Sequence, residues 1–106
     1  MQISDLLNAT ADRLELDGAW IKGDVALDTH GARVMPWSQE ATCWCLDGCL
    51  RSFSGNPTSY VGATYHLHAV GIYPSTVTFN DHNDTTQKMV VAACRQAALN
   101  AIGRGL

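Results

Sequence analysis

A small, mostly α-helical single domain of three to four helices, with a short β-hairpin or ordered loop between the first two, is the fold class this sequence predicts. Three observations carry it. Apolar residues recur at three- and four-residue spacing near both ends of the chain, the mark of helices that bury one face. With 106 residues, 46% of them apolar and 16% charged, the chain can build one core and carries too little charge for a disordered tail or a coiled coil. No linker, internal repeat or low-complexity tract divides it, so residues 1–106 read as one domain.

The first helix is expected from Ser4 to Asp17: Ser4 can cap it, Asp5 suits its positive end, and Ile3, Leu6, Leu7, Ala11 and Leu14 form one face that Gly18 ends. From Trp20 to Trp37 the periodicity is lost. There Asp28-Thr29-His30-Gly31, between Val25-Ala26-Leu27 and Ala32-Arg33-Val34, reads as a four-residue turn with glycine in the left-handed position. The second helix is expected from Ser38 to Phe53, capped by Ser38. Ala41, Trp44, Cys45, Gly48 and Cys49 make its stripe, Leu46, Leu50 and Phe53 widen it, and Asp47 precedes Arg51 by four residues on the wet face. The small residues of that stripe are expected to admit the final helix at close range.

Ser54-Gly55-Asn56-Pro57 then breaks the pattern. Between Ser59 and Val70 the residue types favour a strand, but Val61, Tyr65, His68 and Ala69 fit a short helix ending at Gly71, and helix is the reading adopted. Thr76-Val77-Thr78-Phe79 is β-branched and reads as extended, leading into the polar run Asn80-Asp81-His82-Asn83-Asp84. The last helix opens with Asp84 and Gln87 in capping-box register, and Met89, Val90, Ala93, Cys94, Ala97, Ala101 and Ile102 run as a stripe to Gly103.

Charge excludes some function classes. Seven Lys or Arg against ten Asp or Glu, scattered singly for a net charge of −3, give no basic stripe to neutralise phosphates, so no direct nucleic-acid partner is expected. No apolar run is long enough to span a bilayer and no secretory pattern opens the chain, so no membrane association and a cytoplasmic location are expected. In that compartment the four cysteines are expected as free thiols.

For each chemistry-bearing residue, packing is the competing explanation. Cys43, Cys45, Cys49, Cys94, His66 and His68 are potential zinc ligands, but Cys43 and Cys45 on one helix would point about 200° apart, so no metal and no cofactor is expected. A thiol nucleophile would be Cys45 with Asp81 and His82 as base and orienting group; a mid-helix thiol lacks the helix N-terminus that lowers a thiol pKa, so no catalytic residue is assigned. The Asn80-to-Asp84 run lacks the glycine and glutamate of a calcium loop, and its side chains are expected to cap the last helix or to bond orphaned loop backbone. Binding is assigned to Trp20, His30, Trp37, Tyr73, Asn80 and Asp81, because Trp and Tyr dominate interface energetics.

Taken in order, several landmarks resemble a family of small uncharacterised proteins encoded by actinobacteria and bacteriophages. They are Gly18-Ala19-Trp20 where the family has Gly-Trp, Trp44-Cys45-Leu46-Asp47-Gly48-Cys49 where it has Trp-Cys-x-x-Gly-Ala, and Asn80-Asp81 ahead of a final helix opened by Thr85-Thr86. The chain departs at Cys49, where the family has Ala, and at Cys43, which has no counterpart. The resemblance implies a mostly helical fold and no particular activity; its bacteriophage members imply an accessory or counter-defence protein. The expected function is a non-enzymatic binding protein acting on a host protein, or on a second copy of itself, through the Trp20-to-Trp37 loop. The alternatives are a small-molecule or nucleotide sponge with a pocket against the Asn80-Asp81 loop, and a thiol enzyme using Cys45.

Overall fold

The computed structural model describes residues 1–106 as seven elements: α1 (Ile3–Leu14), β1 (Ala26–Leu27), β2 (Cys43–Trp44), α2 (Leu46–Phe53), α3 (Pro57–Ala69), α4 (Thr76–Asp81) and α5 (Gln87–Gly103). The chain is mostly helical, with a two-strand antiparallel ribbon between the first two helices, and the helix beyond the expected number is α4.

The centre is the pair α1–α5. Leu6, Leu7, Ala11 and Leu14 of α1 are fully buried against Val90, Cys94, Ala97, Ala98 and Ala101 of α5, whose small side chains let the two axes approach. Each buried Leu contributes roughly 1.5–3 kcal/mol relative to leaving it in water. Gln2, not Ser4, caps α1: its backbone N–H donates to Asp5 Oδ2 at 3.2 Å. Ser4 lies inside the helix and holds the C-terminus, donating from its backbone N–H and its Oγ to the Leu106 carbonyl. At the other end Gln87 Nε2 donates to the carbonyls of Leu14 at 2.6 Å and Leu16 at 3.1 Å, which satisfies part of the unpaired end of α1. Gln87 is therefore spent on α1, and Thr86, not Asp84, caps α5 by accepting from the Met89 N–H.

The second expected helix is half right. Residues 46–53 are helical, but Cys43 and Trp44 form β2, with Ala26 opposite Trp44 and Leu27 opposite Cys43. The cause is long-range pairing: Thr42 N donates to Leu27 O at 2.8 Å, Trp44 N to Ala19 O at 2.8 Å and Cys45 N to Val25 O at 3.2 Å. Those backbone donors are already satisfied across the chain, so the helix begins only where they end. The expected turn at Asp28–Gly31 does form, with Gly31 left-handed and Asp28 Oδ1 accepting from His30 N and Ala32 N, but its far side contributes a single bridge, Leu27 to Arg33.

Cys49 packs on α1, its thiol 3.9 Å from the Thr10 carbonyl, while Gly48 lies against Val25, the residue just before β1: a Cβ there would collide with the Val25 carbonyl. Gly48 thus makes room for the segment leading into β1 and not, as expected, for the final helix. Arg13 lies over the rings of Trp44 and Phe53 at 4.4 and 3.9 Å and closes the edge of this layer. Helix α3 starts at Asn56, which accepts from Ser59 N at 2.9 Å, with Pro57 at the first helical position. The stretch expected to be extended, Thr76–Phe79, is instead helical in α4, because Ser75 caps it by accepting from Thr78 N at 3.0 Å.

Candidate functional site

Two polar side chains are buried on either side of the first turn of α2, and they are wired differently. The first is Asn80 of α4, wholly excluded from solvent. Its Oδ1 accepts from Trp20 Nε1 at 2.6 Å and from Leu46 N at 3.0 Å; its Nδ2 donates to Ile21 O at 2.9 Å and to Asp81 Oδ1 at 3.0 Å. Leu46 N–H is one of the donors that the start of α2 leaves unpaired, so one amide joins α4, α2 and the segment after α1. Asp81 extends the tie by accepting from Gly23 N at 3.0 Å, and Lys22 Nζ donates to the His82 carbonyl at 2.7 Å.

The second is Asp47, 5% exposed in the first turn of α2. Its Oδ1 accepts from Thr76 Oγ1 at 2.9 Å and from the Tyr60 hydroxyl, and its Oδ2 accepts from Arg51 Nε at 2.7 Å. Burial alone would raise the Asp47 pKa, but the hydrogen bonds from Tyr60, Arg51 and Thr76 outweigh it and hold the carboxyl below its ordinary value. The same contacts push Tyr60 up, first through burial and then through its bond to Asp47, and push Arg51 up through its bond to Asp47. The pair expected on the wet face therefore spans the surface: Asp47 is inside and the Arg51 side chain remains 51% exposed.

From Asp47 the guanidinium reaches outward. Arg51 Nη2 donates to the Tyr60 hydroxyl at 3.3 Å, and the group lies 4.6 Å from the centre of the Tyr60 ring. It emerges in a cleft of about 290 Å³ lined by Trp37, Arg51, Ser54, Gly55, Asn56, Pro57 and Tyr60. Trp37, 62% exposed on the loop before β2, is its largest apolar wall. The cleft brings together an indole, a tyrosine and a cation held by the buried Asp47, a combination suited to gripping a partner.

The thiols are placed differently from expectation. Cys45 is not mid-helix: it is the N-cap of α2, its Sγ accepting from Gly48 N at 3.3 Å. Being 3% exposed, it still has its pKa raised, with burial as the main cause and the nearby carboxylates of Asp47 and Asp81 adding to it. Cys49 and Cys94, both fully buried, are pushed up to about 12 by burial. All four cysteines are unpaired, and no group of three or more His, Cys, Asp or Glu side chains converges. His82 is turned to its own loop, where Nδ1 accepts from Asp84 N at 3.1 Å.

The six residues assigned to binding from the sequence do not form one surface. Trp20, Asn80 and Asp81 meet in the amide tie, where Asn80 is wholly buried and Asp81 stays exposed. His30 is exposed at the tip of its turn, and Tyr73, 60% exposed, lies beside His68 with ring centres 5.5 Å apart. Trp37 lines the cleft. In the sequence the Asp47-to-Arg51 spacing points to the pair but not to which member is buried, and nothing there singles out Tyr60 for binding.

No helix is long and apolar enough to cross a membrane. Comparison with known proteins finds no match among curated proteins and none among solved structures. The sequence model of a family described as "Family of unknown function (DUF6197)" matches residues 1–100, and the chain belongs to that family.

Proposed function

We propose that this member of a family of unknown function is a non-enzymatic binding protein that engages a partner protein through the surface around Trp37, Arg51 and Tyr60. The observation that carries the reading is the exposed Trp37 indole lining a cleft whose guanidinium is held by a buried carboxylate. A large aromatic left in water beside a pre-oriented arginine is the residue pairing found at interface hot spots, where truncation of the aromatic commonly costs about 2 kcal/mol or more of binding. The resemblance to bacteriophage proteins supports a protein of the bacterial host as the partner.

The experiment places a photo-crosslinking amino acid at Gly55, whose Cβ position faces open space in the cleft wall, and a control at Leu99, exposed on α5. Light-dependent capture of one host protein from Gly55, absent from Leu99 and lost when Trp37→Ala is added, is the expected result. Capture that is equal from both positions, or unchanged by Trp37→Ala, would remove the surface around Trp37 from consideration.

A further inference from the structure

We infer that the segment a partner seats in this cleft carries a carboxylate next to a large apolar or aromatic side chain, an inference that rests on the Trp37 surface being the binding face. An arginine has five N–H donors. In Arg51 the Nε hydrogen goes to Asp47 and one Nη2 hydrogen to Tyr60, leaving both Nη1 hydrogens and the second Nη2 hydrogen without a partner in the chain. Those free donors form the outer edge of the fork, the geometry that matches the two oxygens of a carboxylate.

The lining residues supply the rest. Arg51 is the one charged side chain among them, so the cleft contains no carboxylate to compete for the fork. Asp47 already accepts from three side chains and lies inside, fixing the Arg51 rotamer before any ligand arrives. Trp37 and Pro57, which line the same cleft, offer apolar area to the residue beside the acid. Because the chain carries a net charge of −3, long-range attraction does not favour an acidic partner. Recognition has to come from short-range fork geometry.

A displayed library of random dodecapeptides, selected against the intact protein, supplies the probe, and synthetic copies of the enriched peptides are titrated. Enriched sequences are expected to carry Asp or Glu beside a large apolar residue, and replacing that acid by Asn or Gln should weaken binding about tenfold or more. Gly55→Glu puts a competing carboxylate on the cleft wall and should weaken the same peptides about tenfold or more, while Gly55→Gln, equal in length and uncharged, should change affinity by about twofold or less. Both substitutions keep the fold, since a Cβ at Gly55 meets nothing within 4 Å and its backbone is not left-handed.

Failure to enrich any peptide, enrichment of peptides without an acid, or equal effects of Gly55→Glu and Gly55→Gln would overturn the inference. If crosslinking from Gly55 still captures a Trp37-dependent partner, the carboxylate fails alone and the binding face stands; if that capture is lost as well, both fail.

Discussion

Asn80 and Asp47 are two buried polar side chains that do similar mechanical work on the same turn of α2 and have opposite relations to the surface. Asn80 is neutral, and its donors and acceptors are matched by backbone groups, an indole and a neighbouring carboxylate, so that node closes on itself. Asp47 is charged. Two hydroxyls satisfy one of its oxygens, but a buried carboxylate also needs a counter-charge, and the cation that reaches it comes from the surface and stays half-exposed. Burying an amide makes a lock; burying a carboxylate obliges the fold to hold a guanidinium at its surface in one orientation. The cleft beside Trp37 is a consequence of that second choice.

The largest effect expected is on the closed node. Asn80→Ala leaves Leu46 N, Trp20 Nε1 and Ile21 O without partners and opens a void, which should destabilise the fold by about 3–5 kcal/mol in urea denaturation. The loss should show as a lower midpoint with an unchanged slope. Asp47→Asn comes next, at about 2–4 kcal/mol, because the amide can still accept from Tyr60 and Thr76 but leaves Arg51 without its counter-charge. The two nodes then separate by pH. Since the folded pKa of Asp47 lies below its ordinary 3.8, the unfolded chain takes up the proton first as pH falls. The stabilisation is complete above about pH 5 and is lost as pH drops through the ordinary carboxylate range toward the folded value. Asp47→Asn should flatten that part of the acid-side slope and Asn80→Ala should leave it intact; an equal slope in both variants would mean that the counter-charge at Asp47 is not what distinguishes the nodes.

How much of this was legible depends on whether the signal was local. The stripes of α1 and α5 announce themselves because each helix buries one face, with Leu6, Leu7, Leu14, Val90 and Cys94 fully buried, but Met89 and Ile102, read into the α5 stripe, lie at its ends and are exposed. The start of α2 was hidden for the opposite reason. Ala41, Trp44 and Cys45 share the helical spacing of Gly48 and Cys49, yet residues 42–45 give their backbone bonds to Ala19, Val25 and Leu27, and nothing within ten residues of Trp44 records that pairing. In α4, Thr76, Val77 and Thr78 spoke for a strand, and the cap at Ser75 decided otherwise. The candidate site divides the same way. Trp37 could be picked as exposed because it lies in an unpatterned loop, whereas Asn80 reads as a polar loop residue and becomes the most enclosed polar side chain of the tie only when α2, α4 and the Trp20–Ile21 segment meet.

The smallest effect expected on stability is also the one that sharpens the comparison most. Trp37→Ala removes a side chain that is 62% exposed, so it should change unfolding free energy by no more than about 0.5 kcal/mol. Trp44 marks the contrast: it is 9% exposed, its Nε1 donates to the Pro36 carbonyl at 2.9 Å, and Arg13 covers its ring. Two tryptophans seven positions apart thus belong to different parts of the molecule, one to the core and one to the cleft. If Trp37→Ala instead costs more than about 1.5 kcal/mol, the indole is a cover that shields the Arg51–Tyr60 contact, and the fork would be buried rather than presented. A variant as stable as the parent that no longer captures a partner would leave Trp37 with a contact role alone, because loss of binding without loss of fold separates an interface residue from a packing one.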